Sequence, residues 1–245
     1  MRTWWQELAG LALPVDCAGC GAARVRLCDP CGDELSGAGA GPVSPSPRPA
    51  GLPAVHAAAV YGGAVRAVLL AHKERGALPL AGPLGRALAA AVHSGTAGGR
   101  GGELVLVPVP SARRQVRARG HDPVRRIACA AAARLRRAGV AARVAPVLRQ
   151  RRTVADQAGL GAVQRRENLA GALEVCRDGP RVTAGARIVL VDDVVTTGAT
   201  LAEAARAVRA AGLSAAVPGA AVVAASADSF VQIRSTRSRG QKSRE

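Results

Sequence analysis

The segment that most constrains the fold is a strictly apolar run, Ile188–Val191, which ends in two adjacent aspartates and a threonine-rich turn. A short continuous apolar run bounded by polar residues is typical of a strand buried on both faces in a parallel sheet. A helical pattern over Thr200–Ala211 follows the turn and ends at Gly212, a residue type that commonly terminates helices. The order of strand, polar turn and helix indicates an α/β fold, in which such units repeat.

The same alternation of strands and helices runs through most of the chain. Helical spacing predicts helices over Val65–His72 and Leu84–His93. A third helix has clear end signals, because Asp122 can cap it, Pro123 fits its first turn and Gly139 ends it. Further strands are predicted over Leu104–Pro110, Val140–Leu148 and Ala220–Ala225. The sequence therefore predicts an α/β protein with a doubly wound parallel sheet.

Composition divides the chain into four parts. Residues 1–35 form a lead-in and a cysteine-rich module, and residues 36–53, rich in Gly, Ser and Pro, predict a flexible linker that buries no core. Residues 54–227 carry the α/β pattern, and hydrophobic residues, 49% of the chain, are numerous enough to build its core. Residues 228–245 form a basic tail that is predicted to be disordered.

The chain has a formal net charge of +17, with 34 Lys and Arg against 17 Asp and Glu. Such an excess favours anionic partners, namely phosphates, nucleic acid or acidic lipid headgroups. Aromatic residues make up only 2% of the chain, which argues against nucleic-acid binding through stacked bases.

Other features concern the location of the protein. No segment has the roughly 20 uncharged apolar residues that a membrane helix needs, so membrane insertion is not expected. Glu7 interrupts the apolar N-terminal run, and Pro14-Val15-Asp16 is a poor cleavage site for a secretion signal. Six cysteines in 245 residues do not indicate a disulfide scaffold. These features predict a cytoplasmic protein.

The aspartates and the turn after them offer polar groups to a ligand. Asp192 and Asp193 stand at the carboxyl end of a predicted strand, where open α/β sheets bind ligands. In the turn 196–200, three hydroxyls and the free amides of a helix N-terminus can hold a phosphate dianion, and Gly198 lets the backbone approach it. A sugar phosphate fits both groups. The chain has neither a G-x-x-x-x-G-K-S/T segment nor a G-x-G-x-x-G segment after a strand, which argues against NTPases and dinucleotide binding.

Four cysteines form two similar knuckles, Cys17-Ala-Gly-Cys-Gly21 and Cys28-Asp-Pro-Cys-Gly32. Two such knuckles supply a closed tetrahedral site, which structural Zn²⁺ prefers, with the predicted ligands Cys17, Cys20, Cys28 and Cys31. The alternatives are disulfides, which a cytoplasm disfavours, and a redox pair, which would need no duplicate. We expect metal removal to unfold residues 17–35 and to leave the α/β domain folded. Cys129, within a predicted helix, is expected to be a buried apolar residue, and Cys176 is expected to be structural.

Residues 188–200 resemble the 5-phosphoribosyl-1-diphosphate (PRPP) signature of type I phosphoribosyltransferases, with an apolar strand, two acids, two apolar residues and Thr-Thr-Gly before a small residue and Thr. The resemblance implies the sheet of that class and Mg²⁺, which usually accompanies PRPP. It implies that Asp192 and Asp193 hold the ribose hydroxyls. It assigns the 5-phosphate to Val194, Val195, Thr196, Thr197, Gly198, Ala199 and Thr200.

Further motifs extend the resemblance over nearly the whole chain. With the cysteines ahead of them, Val107–Arg114, Arg117–His121 and polar residues from Arg152 to Asn168 resemble the ComF family of competence-associated, phosphoribosyltransferase-like proteins. This resemblance implies a pyrophosphate loop at residues 108–111, beside which arginines offer paired donors to phosphate oxygens. The candidate contacts are Ser111, Arg113, Arg114 and, as a further cation, Lys73. His121 replaces an aromatic residue of the family pattern and is interpreted as a loop residue rather than a catalyst.

Residues 151–168 have poor hydrophobic periodicity and many polar groups, and they predict a loop that closes over bound PRPP. Its candidate contacts are Arg152, Thr153 and Gln157. Closure would exclude water from the reactive ribose carbon. The acceptor is assigned to no motif, and Val55–Gly102 is its candidate region by elimination.

The leading hypothesis is a Mg²⁺-dependent transferase, in which a nitrogen nucleophile displaces pyrophosphate from the ribose C1. The alternative is a catalytically inactive, PRPP-sensing or DNA-associated protein of DNA uptake, with the Arg-rich region 113–152, the cysteine module and the tail on DNA phosphates. The positive charge suits both partners and does not choose between them. A purely structural zinc adaptor would leave Asp192, Asp193 and the threonine turn unexplained.

Overall fold

The computed structural model describes residues 16–98, 101–152, 168–213 and 219–230. The strands are β1 Gly41–Val43, β2 Val55–Val60, β3 Leu104–Pro108, β4 Ala142–Val144, β5 Leu148–Gln150, β6 Leu173–Val175, β7 Arg187–Val195 and β8 Gly219–Ala225. Six of these form one sheet in the order β1-β2-β8-β7-β3-β4, and β5 and β6 form a separate antiparallel pair. All neighbours in the large sheet are parallel except β1 and β2.

Helices cover both faces of the large sheet. The α-helices of the described residues are α1 Asp29–Asp33, α2 Gly63–Glu74, α3 Ala81–Thr96, α4 Arg113–Arg119, α5 Pro123–Arg137, α6 Gly179–Thr183 and α7 Ala199–Ala210. Buried residues of α2, α3 and α5 form one apolar cluster with Leu104 and Leu106, whereas those of α7 form a second cluster with Val105 and Val107. Because both faces are covered, every residue of β3 and of β8 is buried. The predicted α/β fold with a doubly wound sheet is confirmed.

The connections that leave β3 and β7 run in opposite directions. β3 continues through α4 and α5 to β4 on one side, and β7 continues through α7 to β8 on the other. The two strands are direct neighbours, with Leu104 beside Arg187 and Pro108 beside Val191. Their carboxyl ends therefore border a crevice where the strand order reverses, which is the usual ligand site of an open α/β sheet.

The end signals of the third predicted helix are confirmed, but the strand predicted over Val140–Leu148 is wrong. The Asp122 carboxylate accepts the N–H of Arg125 at 3.1 Å, and α5 begins at Pro123. In place of one strand, the structure has β4 and the start of β5, which lie in different sheets. Pro146 stands between them, and proline interrupts a ladder because it has no N–H to donate.

The prediction that residues 36–53 form a linker without core residues is also wrong. The segment contains β1, which extends the sheet beyond β2, and it buries Val43 and Leu52. These are the only large apolar residues of the segment, and they are too far apart to show a periodic pattern. An edge strand was therefore not predictable from the sequence pattern of this segment, which is rich in turn-forming residues.

Two smaller expectations also change. Ser229 is buried and Phe230 packs against the core, so the predicted disordered tail cannot begin at residue 228. Residues 231–245 and 1–15 lie outside the described residues. Cys129 is exposed rather than buried, because its position on α5 falls outside the apolar stripe of that helix, whereas Cys176 packs against the second cluster. Within the described ranges, no helix has both the length and the apolarity to cross a bilayer.

Helices α3 and α5 touch through small residues, so we expect Gly85→Ala to lower the free energy of unfolding by about 1–3 kcal/mol. A Cβ at position 85 would lie 2.9 Å from the carbonyl carbon of Ala130, and the backbone cannot yield unless the helices move apart. Gly82→Ala is the matched control, because a Cβ there meets nothing within 4 Å and alanine favours the helix by up to about 1 kcal/mol. Urea unfolding curves of the two variants should shift in opposite directions, and equal shifts would contradict the close contact.

Candidate functional site

The two aspartates lie inside β7 rather than after it, because the strand continues to Val195. Asp192 lines the cavity at the reversal point of the sheet, and Asp193 beside it is only 7% exposed. The N–H of Asp193 donates to Asp192 Oδ1, and the N–H of Val194 donates to Asp193 Oδ1, both at 2.8 Å. These bonds to the strand backbone fix the orientation of both carboxylates.

Lys73, in the last turn of α2, supplies a cation to this pair. Its Nζ donates to Asp193 Oδ2 at 2.7 Å, which brings together two residues that the sequence assigned to the site separately. Burial opposes the charge of Lys73, but attraction by Asp193, with a smaller part from Asp192, outweighs burial and raises the pKa of Lys73 above its ordinary value. Lys73 therefore stays protonated and neutralises one of the two carboxylates.

The other carboxylate is in an unfavourable environment. Burial raises the pKa of Asp192 well above its usual range, and repulsion by Asp193 adds to this effect, while Lys73 acts in the opposite direction. A carboxylate with a perturbed pKa that lines a cavity is typical of a functional site. Asp192 is thus ready to accept hydrogen bonds from ligand hydroxyls, or to face a metal ion, since either would stabilise its charge.

The turn between β7 and α7 fits closely around Gly198. This glycine has a φ of 73°, and a Cβ on it would lie 3.0 Å from Leu52 and 3.1 Å from Pro45, so a side chain is excluded on both grounds. The Gly198 carbonyl accepts the N–H of Ala202, and α7 therefore begins directly after the turn. Thr200, in the first turn of α7, lines the cavity beside the carboxylates, and amides in the first turn of a helix have no partner within the helix.

The residues predicted to hold the phosphate differ in their access to the cavity. Val194, Thr196 and Thr200 line the cavity. Val195 and Ala199 are buried in the core, so only their backbone could contact a ligand, and Thr197 Oγ1 accepts the N–H of Ala199 at 3.5 Å.

The opposite wall of the cavity, whose volume is about 490 Å³, includes Ser111 and Arg114. Arg113 does not line this cavity but lines a neighbouring one of about 290 Å³, which shares Ser111 with it. The separation follows from helical geometry, since adjacent residues of α4 point about 100° apart. The sequence placed both arginines at one anion site, whereas in the structure only Arg114 of these two lines the cavity with the carboxylates.

Of the three candidate contacts predicted in the closing loop, only Arg152 belongs to the described residues. Thr153 and Gln157 lie outside the described residues. Arg152 does not line the cavity, and its Nη2 donates to the carbonyl oxygens of Asn168 and Ala170 at 2.8 and 3.0 Å. It thereby links the two ends of this segment.

Several cavity residues were missed by the sequence reasoning, notably Tyr61, Glu74, Arg119 and Gln150. Arg119 donates to Glu74 through Nε at 2.9 Å and through Nη2 at 2.6 Å, and its buried Nη1 has no hydrogen-bond partner in the described part of the chain. Two signals could have found these residues. Tyr61 directly follows the apolar run Ala57–Val60, and Arg119 belongs to the Arg-rich motif before Gly120.

His121 has structural contacts. Its Nε2 lies 3.1 Å from the carbonyl oxygen of His72, its Nδ1 lies 3.1 Å from that of Arg119, and the two imidazole rings meet edge to face at 5.6 Å. These contacts tie the turn after α4 to the end of α2, where Lys73 and Glu74 are located. They agree with the interpretation of His121 as a loop residue that positions its neighbours.

The four cysteines form a compact cluster of free thiols. Their Sγ atoms all lie within 4.8 Å of one another, and Cys28 Sγ is 3.5 Å from those of Cys17 and Cys20. A tetrahedral site with Zn–S bonds of about 2.3 Å has sulfur–sulfur distances of about 3.8 Å, so this donor set fits zinc. Burial opposes ionisation of Cys17, but N–H groups of the two knuckles lower the pKa of its thiol to about 6, which favours a thiolate ligand.

The cysteine cluster is continuous with the α/β core. Leu35, which follows the second knuckle, is fully buried in the same apolar cluster as α3, and Ala18 and Leu27 pack against that cluster. A Cβ on Gly19 would lie 3.0 Å from the Cβ of Ala64 in α2. The expectation that the module unfolds alone therefore needs revision, because residues 17–35 share their core with the rest of the protein.

Comparison with known proteins finds one family model that covers the segment with the two aspartates. Residues 131–243 match the family model of the phosphoribosyl transferase domain. The match runs from within α5 through β7, the threonine turn and α7 to beyond β8, but it includes neither Lys73 nor the four clustered cysteines. No curated protein matches the chain. The molecule is thus an α/β protein with a phosphoribosyltransferase domain, preceded by a four-cysteine cluster.

We expect substitution of the two aspartates to change stability in opposite directions. Asp192→Asn removes a desolvated, repelled charge and keeps an oxygen for the N–H of Asp193, so it should raise the free energy of unfolding of the ligand-free protein by about 1 kcal/mol. Asp193→Asn leaves Lys73 without its partner and should lower it by about 1–3 kcal/mol. Denaturant unfolding at pH 7 measures both, and destabilisation of equal size by the two variants would contradict the assigned electrostatics.

Proposed function

We propose that this protein binds PRPP and transfers its phosphoribosyl group to a nitrogen acceptor, with release of pyrophosphate. The observation that carries the proposal is the juxtaposition at the end of β7, where two carboxylates adjoin a threonine turn at the start of a helix. The matched family domain covers this segment and supports the same ligand. The site lies where the strand order reverses, so both anion-binding loops can reach one molecule.

The 5-phosphate is assigned to the turn. Thr196 and Thr200 line the cavity and carry hydroxyls, and the free amides in the first turn of α7 would add donors without positive side chains. The ribose diol is assigned to Asp192 and Asp193. A carboxylate accepts two hydroxyl protons well, and these bonds would relieve the repulsion between the two acids.

The pyrophosphate is assigned to the opposite wall. Ser111 and Arg114 line it, and Arg119 offers a buried Nη1 that has no hydrogen-bond partner within the described ranges. The carboxylate oxygens of Asp192 and Asp193 are of the hard donor type that Mg²⁺ prefers, so they fit the ion that PRPP usually carries. When bound, Mg²⁺ would neutralise phosphate charge in the complex.

We assign Lys73 one role in the ligand-free site and another in the liganded site. In the ligand-free protein it pairs with Asp193. Its side chain is about one-third exposed, so it can turn from the carboxylate toward an incoming phosphate at modest cost. Lys73 thus stabilises the carboxylate pair before binding and adds positive charge beside the leaving group after it.

The proposed reaction is a substitution at the ribose C1. The bond from C1 to the pyrophosphate oxygen breaks as the bond to the acceptor nitrogen forms, with inversion, and the nitrogen loses a proton to solvent. The pyrophosphate leaves with both electrons of the broken bond. The protein positions the reactants and stabilises charge, so no covalent intermediate with a side chain is required.

We further propose that the protein is a member of the ComF family and that its cysteines hold structural Zn²⁺. The four thiols supply a closed donor set, and their spacing agrees with the resemblance of the N-terminal segment to that family. The PRPP-sensing alternative shares the same ligand site, so turnover rather than binding distinguishes it.

Isothermal titration calorimetry with PRPP and Mg²⁺ tests the ligand assignment. We expect Thr200→Val to weaken binding about 5- to 10-fold, since it removes one hydroxyl from the phosphate site. Asp192→Asn combined with Asp193→Asn should weaken it by about 100-fold. Thr96→Val is the matched control, because its hydroxyl bonds to the Val92 carbonyl within α3, away from the aspartates.

Unchanged affinity in the double variant, or no heat with the wild-type protein, would refute the ligand site. Turnover is measured separately as pyrophosphate release in the presence of a panel of nucleobases and amines. Release with one acceptor supports the transferase. PRPP binding without release, across the panel, favours the sensing role over catalysis.

Elemental analysis of reduced, purified protein should find one zinc per chain, and Cys31→Ser should abolish it. Cys129→Ser is the matched control, because Cys129 is exposed on α5 and stands apart from the cluster. Chelation of the metal should lower the midpoint of unfolding of the whole protein, since Leu35 and the α/β helices share one core. Absence of metal, or an unchanged midpoint after chelation, would contradict this assignment.

A further inference from the structure

A second concentration of positive charge lies on the outer side of α3 and α5, away from the carboxylates. The two helices approach closely because Gly85 packs directly on the backbone of Ala130. Gly82 and Ala130 form the floor of a cleft of about 290 Å³ beside this contact. Its walls are arginines: Arg86 rises from α3, and Arg134 and Arg137 rise from α5.

Helical spacing explains why these side chains meet. Arg86 follows Gly82 by one turn, and Arg134 and Arg137 follow Ala130 at four and seven residues, so each arginine lies on the same face as a small residue of the floor. Small residues let the helices approach, and the long side chains on either side then line the gap. The cleft is therefore a product of the helix contact rather than of a single charged helix.

The positive charges of the three guanidinium groups are not balanced by acidic side chains in the described part of the chain. Within the described ranges, none of them makes a hydrogen bond or an ion pair, and neither helix contains an acidic residue. By contrast, several arginines elsewhere in the structure form an ion pair with a glutamate from another element or from the same helix. These pairs are Arg119–Glu74, Arg143–Glu103, Arg149–Glu174 and Arg206–Glu203.

We propose that this cleft is a second anion site, which binds ligands that carry two or more adjacent phosphate groups. Three like charges around one cleft repel one another, and a multiply charged anion removes that repulsion. Arginine suits phosphate because its planar group donates paired hydrogen bonds. No aromatic side chain lines the cleft, so the site recognises phosphates and not bases.

This site shares no lining residue with the cavity around Asp192 and is independent of the PRPP proposal. Two sources could supply the same chemistry, namely a small polyphosphate and the backbone of a nucleic acid. Arg126, an exposed arginine one turn before Ala130 on α5, would add a contact for the longer ligand only.

The test uses the full-length protein and the triple variant Arg86→Gln, Arg134→Gln, Arg137→Gln. A matched control, Arg66→Gln, Arg177→Gln, Arg181→Gln, loses the same charge at exposed arginines that also have no described partner and lie outside the cleft. Inorganic tripolyphosphate is titrated calorimetrically at about 50 mM salt. A 20-base-pair duplex of random sequence is titrated by fluorescence anisotropy over a range of salt concentrations.

We expect the cleft variant to lose affinity for tripolyphosphate by about tenfold or more, while the control stays within about twofold. If the duplex behaves in the same way, with a salt slope lower by about one per arginine engaged, the source is a nucleic-acid backbone. If only tripolyphosphate responds, the source is a small polyphosphate. Equal responses of cleft and control variants to both probes would overturn the site.

Two further measurements keep the outcome interpretable. Thermal unfolding should show that the two triple variants fold alike, since all six side chains are exposed. PRPP with Mg²⁺ should bind the cleft variant as it binds the wild type. If neither the wild type nor either variant binds PRPP, but only the cleft variant loses affinity for tripolyphosphate, the proposed function is refuted and the cleft site is still supported.

Discussion

The site depends on one constraint, which is that β3 and β7 are parallel neighbours whose connections leave in opposite directions. Neither connection crosses the gap between the strand ends, so the crevice stays open to a ligand. One side of the crevice receives Ser111 and Arg114, and the other receives Asp192 and Thr196. Acidic and basic side chains thus line one cavity, which suits the hydroxyl and phosphate groups of the proposed ligand.

In the ligand-free site, the negative charge of the two acids is only partly balanced by positive charge. Two carboxylates on consecutive residues of one strand share one lysine, and α2 delivers that lysine from a distant part of the sequence. The pair Arg119–Glu74 and the contact of His121 with His72 fix the same end of α2. The cost of the unbalanced acid is tolerated because the surrounding elements hold it in place, which is common at binding sites.

The sequence predicted the parts of the site that lie on one continuous segment. The apolar run, the acids, the threonine turn and the helix after them are local signals, and each has a physical reason that can be read from neighbouring residues. Contacts between segments were not predictable, because Lys73 and Asp193 are 120 residues apart and only the folded sheet brings them together. The separation of Arg113 from Arg114 likewise depends on the rotation of α4, which the sequence does not reveal.

The contact of Pro45 and Leu52 with Gly198 has a consequence for where the domain begins. Their segment looks dispensable, yet it supplies the surface against which the turn after β7 is formed. A protein shortened to start at β2 would keep every side chain that faces the cavity and would lose the backing that holds the turn in shape. The N-terminal boundary of the domain therefore lies before Pro45, among residues with no catalytic chemistry of their own.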